Sequence, residues 1–217
     1  MPQIFSKKAN SLPTVSLVGS LFGGVALIAL VWYYFSPEYI DVGYAPAQPV
    51  PYSHRLHVSQ LGLDCRYCHS NVEVSSLANV PATQTCMNCH SQIRRESLRL
   101  LPVRESWAND TPIEWVKVSF LPEYVQFSHA AHVNNGVGCE TCHGRIDQMA
   151  EVYQFAPLSM GWCLDCHREP WKNLRPPSEV TNMSWEHPPG QDPVAYGRVL
   201  AEERNINPPT DCSTCHR

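Results

Sequence analysis

The amino-acid sequence predicts a protein of short helices and irregular loops with little sheet, wrapped around covalently attached groups and preceded by one transmembrane helix. Three observations lead to this prediction. The motif C-x-x-C-H occurs five times and uses all ten cysteines of the chain. Nineteen prolines and eleven glycines interrupt any long periodic helix or strand. Residues 14–35 form a run of 22 residues without a charged side chain.

The five motifs indicate the attachment of c-type haem. Two thiols three residues apart react with the two vinyl groups of one porphyrin, and the adjacent histidine binds the iron. Disulfides and zinc ribbons are the alternatives, but neither explains a histidine directly after the second cysteine of every motif. We therefore expect five haem c groups and the fold class of a multihaem cytochrome c. The predicted thioether residues are Cys65, Cys68, Cys86, Cys89, Cys139, Cys142, Cys163, Cys166, Cys212 and Cys215, and the predicted proximal iron ligands are His69, His90, His143, His167 and His216.

Five histidines remain outside the motifs, as many as five haem irons have sixth positions. Four of them lie in two matching segments, YSHRLH and FSHAAH, where histidines three residues apart project from neighbouring faces of a short helix. One histidine of each pair can reach the haem that follows, and the other can reach a haem attached elsewhere. The predicted distal ligands are His54, His57, His129 and His132, with His187 for the fifth haem and Met160, Met183 and Met149 as its rivals.

An internal duplication organises these motifs. His54 precedes His129 by 75 residues, Cys65 precedes Cys139 by 74, and Cys86 precedes Cys163 by 77. Each half therefore contains S-H-x-x-H followed by two haem motifs. We expect two modules at about residues 53–90 and 128–167, with the fifth haem at residues 212–216.

The uncharged run predicts a membrane anchor. Its 22 residues suffice to cross a hydrocarbon core of about 30 Å, whereas a signal peptide has a shorter apolar region and a small-residue cleavage site nearby. The two lysines before it predict a cytoplasmic N-terminus. The expected organisation is a cytoplasmic segment 1–13, an anchor 14–35, a Pro-rich linker 36–52 and a pentahaem domain 53–217. Haem attachment on the outer side of the bacterial cytoplasmic membrane predicts that this domain faces the periplasm.

The composition argues against nucleic acid as a partner, because the net charge is −4 and the chain has no basic run. The segments VPYSHRLHVSQLGLDCRYCH, NVPATQTCMNCH and LSMGWCLDCHR, together with the five motifs and the anchor, resemble the pentahaem cytochrome c subunit of alternative complex III. This resemblance implies an electron-transfer subunit, not itself an enzyme, in a quinol oxidoreductase complex of a respiratory or photosynthetic chain. The implied partners are integral membrane quinol-oxidising subunits, an iron–sulfur subunit and other cytochrome c subunits.

Two other functions are alternatives to electron relay. A stand-alone, membrane-anchored quinol dehydrogenase resembles this architecture, but its first motif is followed by a ligating methionine three residues after the histidine. Here that position is Val72. A catalytic multihaem reductase keeps one iron open, often with lysine in place of the motif histidine, and the sequence contains no C-x-x-C-K.

Overall fold

A computed structural model describes residues 5–217, which form two units that meet in sequence between Asp41 and Val42. The first unit contains a 3-10 turn, Lys7–Ser11, followed by helices α1 (Leu12–Tyr34) and α2 (Pro37–Ile40). Helix α1 has a proline in its first turn, where the backbone N–H has no helical partner. At the usual rise its length is about 35 Å. Among the described residues, α1 is the one helix long and apolar enough to cross a membrane, so it is a candidate anchor.

The second unit, Val42–Arg217, is built from short helices joined by loops. Its α-helices are α3 (Cys65–Cys68), α4 (Thr83–His90), α5 (Leu101–Asn109), α6 (His129–Val133), α7 (Cys139–His143), α8 (Met160–Arg168), α9 (Pro193–Glu203) and α10 (Cys212–Cys215). A π-helix and four 3-10 turns complete the secondary structure: Arg55–Gln60, then Leu98–Leu100, Ile146–Gln148, Pro170–Lys172 and Pro177–Glu179.

No strand forms within residues 5–217. Two isolated antiparallel bridges join Val125 to His216 and Val137 to Leu174. The prediction of short helices and irregular loops with little sheet is therefore confirmed.

The apolar core of the second unit is small for its length. Its buried apolar side chains are Val50, Val103, Val133, Met149, Ala156, Leu174, Val180 and Met183. Burial of apolar surface is the main favourable contribution to folding, and a domain of this size normally removes about two thirds of its surface from water. The polypeptide alone thus supplies only part of the apolar burial that such a domain needs.

The segment predicted as a linker is bound to the domain that follows it. The Gly43 N–H donates to the Gln154 carbonyl at 2.8 Å, and the Gln154 N–H donates to the Tyr44 carbonyl at 3.0 Å. The Gln48 side chain bonds both backbone groups of Val116, at 2.8 and 3.0 Å. The chain therefore becomes part of the second unit well before residue 53.

Candidate haem-binding site

Each C-x-x-C-H motif lies on or at the end of its own short helix. Residues three apart on a helix share a face, so the two thiols of each motif can serve one porphyrin. Aspartate or serine caps start three of these helices: Asp64 accepts from the Arg66 N–H at 2.8 Å, Ser159 from the Trp162 N–H at 3.3 Å, and Asp211 from the Thr214 N–H at 3.0 Å. Within residues 5–217 no two cysteines form a disulfide, and no three metal-binding side chains converge as zinc ligands would.

The two S-H-x-x-H segments lie at the start of helical turns. Ser128 caps α6 by accepting from the Ala131 N–H at 3.4 Å, and Ser53 accepts from the Leu56 N–H at 3.3 Å. The second segment continues as an α-helix, whereas the first continues as the π-helix Arg55–Gln60, a rare form that is frequent at functional sites. In both segments the histidines occupy the first turn.

The first histidine of each segment faces the proximal histidine of the motif that follows it. The ring centres of His54 and His69 are 6.5 Å apart with planes 6° from parallel. The rings of His129 and His143 repeat this arrangement at 6.4 Å and 7°. The two halves of the duplication therefore share one geometry.

The second histidine of each segment faces the proximal histidine of the next motif along the chain. His57 and His90 have ring centres 6.2 Å apart, and His132 and His167 have ring centres 6.0 Å apart. Two imidazoles bound to opposite sides of one iron have centres roughly 6 Å apart, because each metal–nitrogen bond is about 2 Å and each ring centre lies about 1 Å behind its nitrogen. All four pairs fit a haem iron held between them.

Backbone carbonyls select the nitrogen that each ring can offer to a metal. Since a carbonyl only accepts, an Nδ1 within hydrogen-bond distance of it carries the proton, and Nε2 keeps its lone pair. Such second contacts orient metal-binding imidazoles. Six rings have this contact: His57 to Ser53 at 2.9 Å, His69 to Asn79 at 2.7 Å, His90 to Ile93 at 3.0 Å, His129 to Ser76 at 2.9 Å, His132 to Ser128 at 2.7 Å and His167 to Pro209 at 2.7 Å.

Burial keeps several of these imidazoles neutral. Desolvation, followed by the neighbouring His69, lowers the pKa of His54 to about 4. Desolvation, followed by His129, lowers the pKa of His143 to about 4. The pKa of His132 is lowered by desolvation as well. Neutral imidazole is the form that binds a metal, so burial prepares these side chains for that role.

An aromatic ring packs against both histidines in each segment. Tyr52 lies parallel to His57 with ring centres 4.4 Å apart and meets His54 edge-on at 4.9 Å. Phe127 contacts His132 and His129 in the same two ways, at 4.7 and 4.9 Å. Neither ring is among the predicted site residues. The signal was present, because an aromatic residue precedes S-H-x-x-H in both halves.

The thiols show which motifs are neighbours. The adjacent Cys65 thiol, followed by burial, raises the pKa of Cys139, so the first and third motifs meet. Burial, followed by the charges of Cys166 and Cys163, raises the pKa of Cys142 to about 12. Burial, followed by the charge of Cys86, raises the pKa of Cys68, so these two thiols are close together. Burial, followed by the charge of Cys215, likewise raises the pKa of Cys163. The first motif is thus a neighbour of the second and third, and the fourth motif is a neighbour of the third and fifth.

One segment joins the first and third motifs. The Val180 carbonyl accepts from the Cys139 N–H at 3.0 Å, and the Thr181 hydroxyl donates to Asp64 at 2.8 Å. Asp64 also pairs with Arg66 at 2.9 Å. This ion pair and the Thr181 bond hold the pKa of Asp64 at about 2.

The fifth motif has a different environment. The His216 ring lies 5.7 Å from Tyr124, and the Gln126 N–H donates to the Cys215 carbonyl at 2.8 Å. His187 packs against Trp185 at 4.6 Å and Tyr196 at 6.1 Å, so its assignment to the fifth haem stays a prediction. Of the rival methionines, Met149 and Met183 are buried and Met160 is exposed.

Comparison with known proteins agrees with this geometry. Residues 125–217 match the family described as cytochrome c7 and related cytochrome c. The multihaem cytochrome c subunit of a menaquinone reductase from Nitratidesulfovibrio vulgaris is 35% identical over 97 residues, which are 44% of this chain and 45% of that subunit. The matched region thus spans less than half the length of the relative. Residues 125–217 therefore resemble a multihaem cytochrome of the cytochrome c7 type.

Proposed function

We propose that the chain is an electron-relay subunit of a membrane-bound, quinone-linked complex and holds five haem c groups. The cysteines and proximal histidines of the five motifs would bind these groups. The distal ligands of the first to fourth haems along the chain would be, in that order, His54, His57, His129 and His132. When bound, haem supplies the one-electron couple of its iron.

The four histidine pairs carry this proposal. Because both axial positions of an iron between two imidazoles are filled, that site has no position for a substrate and favours electron transfer over catalysis. The backbone carbonyls on Nδ1 keep the rings oriented, and Tyr52 and Phe127 limit their rotation. The succession of neighbouring motifs would allow electrons to cross the domain.

The membrane complex is proposed on three grounds. Helix α1 has the length and composition of an anchor, and the lysines before it favour a cytoplasmic N-terminus with the haem domain outside. The resemblance to alternative complex III implies quinol oxidation, whereas the relative is named for a menaquinone reductase. Both similarities point to a quinone-linked complex. The proposed partners, which are integral membrane, iron–sulfur and other cytochrome c subunits, would belong to this complex.

Affinity purification of the full chain from native membranes tests this function. We expect co-purifying integral membrane subunits, a haem to protein ratio of five by pyridine haemochrome assay, and low-spin signals from at least four ferric haems in electron paramagnetic resonance. A ratio below five would contradict the haem assignment. Two or more high-spin haems per chain would instead favour the catalytic reductase, and purification of an active chain without partners would favour the stand-alone dehydrogenase.

A further inference from the structure

A buried arginine forms an ion pair with a partly buried residue of the third motif. Glu140 stands between the two cysteines of that motif, and its carboxylate accepts from the Arg175 guanidinium. The Arg175 side chain is only 6% exposed and that of Glu140 is 26% exposed. Charged side chains are rarely buried to this degree unless they are paired.

The guanidinium is fixed from several sides. It lies 4.8 Å from the ring centre of Trp185 and donates to the Asn182 carbonyl at 3.1 Å. It also packs directly against the motif backbone, because a Cβ on Gly138 would approach its Cζ to 2.4 Å. Glycine at this position therefore allows the cation to come close to the first cysteine of the motif. The Arg175 Nε is buried and has no hydrogen-bond partner within residues 5–217.

This arrangement places one positive and one negative charge at fixed positions next to a single motif. Coulomb interactions are several times stronger at a protein interior than in water. Reduction of a haem iron adds one electron and neither makes nor breaks a bond in the protein. A fixed cation beside the haem therefore favours the ferrous form, and a fixed anion favours the ferric form. When the two charges form a close pair, their effects on the reduction potential nearly cancel.

We propose that Glu140 and Arg175 act as a compensated pair beside the haem that Cys139, Cys142 and His143 would hold, and that each charge offsets the effect of the other on the reduction potential of this haem. The pair also positions the motif, because Arg175 joins it to the segment that contacts the first motif. This inference rests on the proposed function, since it requires a haem at the third motif.

Charge-removing variants test the proposal by a readout that a purely structural role would not move. In the full chain, Glu140→Gln leaves the cation unpaired and raises the midpoint potential of one haem couple. Arg175→Gln leaves the anion unpaired and lowers it. We expect each change to alter the ferrous to ferric ratio at a given potential by about tenfold, which is about 59 mV for a one-electron couple. Potentials are measured by redox titration followed by electron paramagnetic resonance.

Compensation and controls complete the test. In the double variant Glu140→Gln with Arg175→Gln, the ferrous to ferric ratio at a given potential returns to within about threefold of its original value. Arg175→Lys keeps the midpoint potential close to that of the original protein. Glu96→Gln is the matched control, because its partner Arg95 is also near a motif but both side chains are largely exposed. It leaves every couple unchanged.

Two outcomes overturn the proposal. One is an unchanged set of potentials in Glu140→Gln, and the other is a shift in the same direction for both single variants. If Arg175→Gln fails to fold, Glu140→Gln and Arg175→Lys still decide the question. The haem to protein ratio of the original chain separates this result from the proposed function, because a chain without a third haem fails that assay before any variant is made.

Discussion

The two histidines of α6 differ in the partner of their Nδ1 atoms. In α6, the Ser128 carbonyl binds His132 from within the same turn, whereas the Ser76 carbonyl binds His129 from the other half of the chain. The two rings of one short helix are thereby directed at different motifs, the third and the fourth. Removing either ring should open a different iron.

We predict that His129→Ala opens the third haem and His132→Ala opens the fourth. Each variant of the full chain should show one new high-spin haem in electron paramagnetic resonance, because the iron loses one of two strong ligands. The assignment is checked in a background where Cys163→Ala and Cys166→Ala remove the fourth haem. There His129→Ala still produces the high-spin signal, and His132→Ala does not.

Phe127→Leu serves as the matched control. It removes the ring that packs on both histidines but leaves the ligands in place, so all haems should stay low-spin. The assignment is wrong if His132→Ala opens a haem that persists in the background without the fourth site.

Among the elements, the helix that carries the first motif depends on Asp64. This residue caps α3 and also accepts a bond from Thr181, in the segment that contacts the third motif. Loss of a capping side chain costs about 1 kcal/mol, and loss of a further hydrogen bond costs a similar amount. Ser159 caps α8 through the Trp162 N–H, and within residues 5–217 its side chain has no such distant partner.

We predict that Asp64→Ala lowers the free energy of unfolding by about 2 kcal/mol and Ser159→Ala by about 1 kcal/mol. Denaturant unfolding of the haem-loaded full chain in detergent measures both. Thr181→Ala isolates the distant bond, because it removes that bond and leaves both the cap and the exposed Arg66 ion pair. Equal losses for Asp64→Ala and Ser159→Ala would show that the Thr181 bond contributes nothing.

The sequence predicts the features that depend on residues close to one another along the chain. The attachment motifs, the paired histidines and the scarcity of sheet all follow from spacing and composition, and short helices do form at the motifs. The sequence does not predict which motif histidine the second histidine of each segment faces, because this depends on how distant segments pack. The pairs are His57 with His90 and His132 with His167. The same holds for Arg175, which lies 35 residues from its partner and outside every motif.

For the whole molecule, the duplication predicted two similar halves but not how they join. The Ser75 and Ser76 carbonyls of the first half accept from the Ala130 and His129 N–H groups of the second, both at 3.1 Å. The third motif thereby meets the first, although the second motif lies between them in the sequence. Such contacts couple the halves, so neither half is expected to bind its haems alone.

The boundary of the haem domain provides the last prediction. The sequence places it at residue 53, but the chain already packs from Gly43 onward, and Val50 is 5% exposed. A chain that begins at Val42 behind a cleavable signal peptide keeps these contacts, whereas one that begins at Ser53 loses the Val50 side chain and the Gln48 bonds to Val116. Burying one valine contributes about 1.5–3 kcal/mol and each hydrogen bond about 1 kcal/mol.

We therefore predict that the Val42 version is soluble in the periplasm, carries as many haems as the full chain, and exceeds the Ser53 version in free energy of unfolding by about 4 kcal/mol. Ultracentrifugation, the pyridine haemochrome assay and denaturant unfolding measure these three properties. The full chain is the control and should sediment with membranes, because it retains α1. Equal stability of the two versions would mean that residues 42–52 act as a linker after all, and sedimentation of the Val42 version would mean that α1 is not what holds the protein at the membrane.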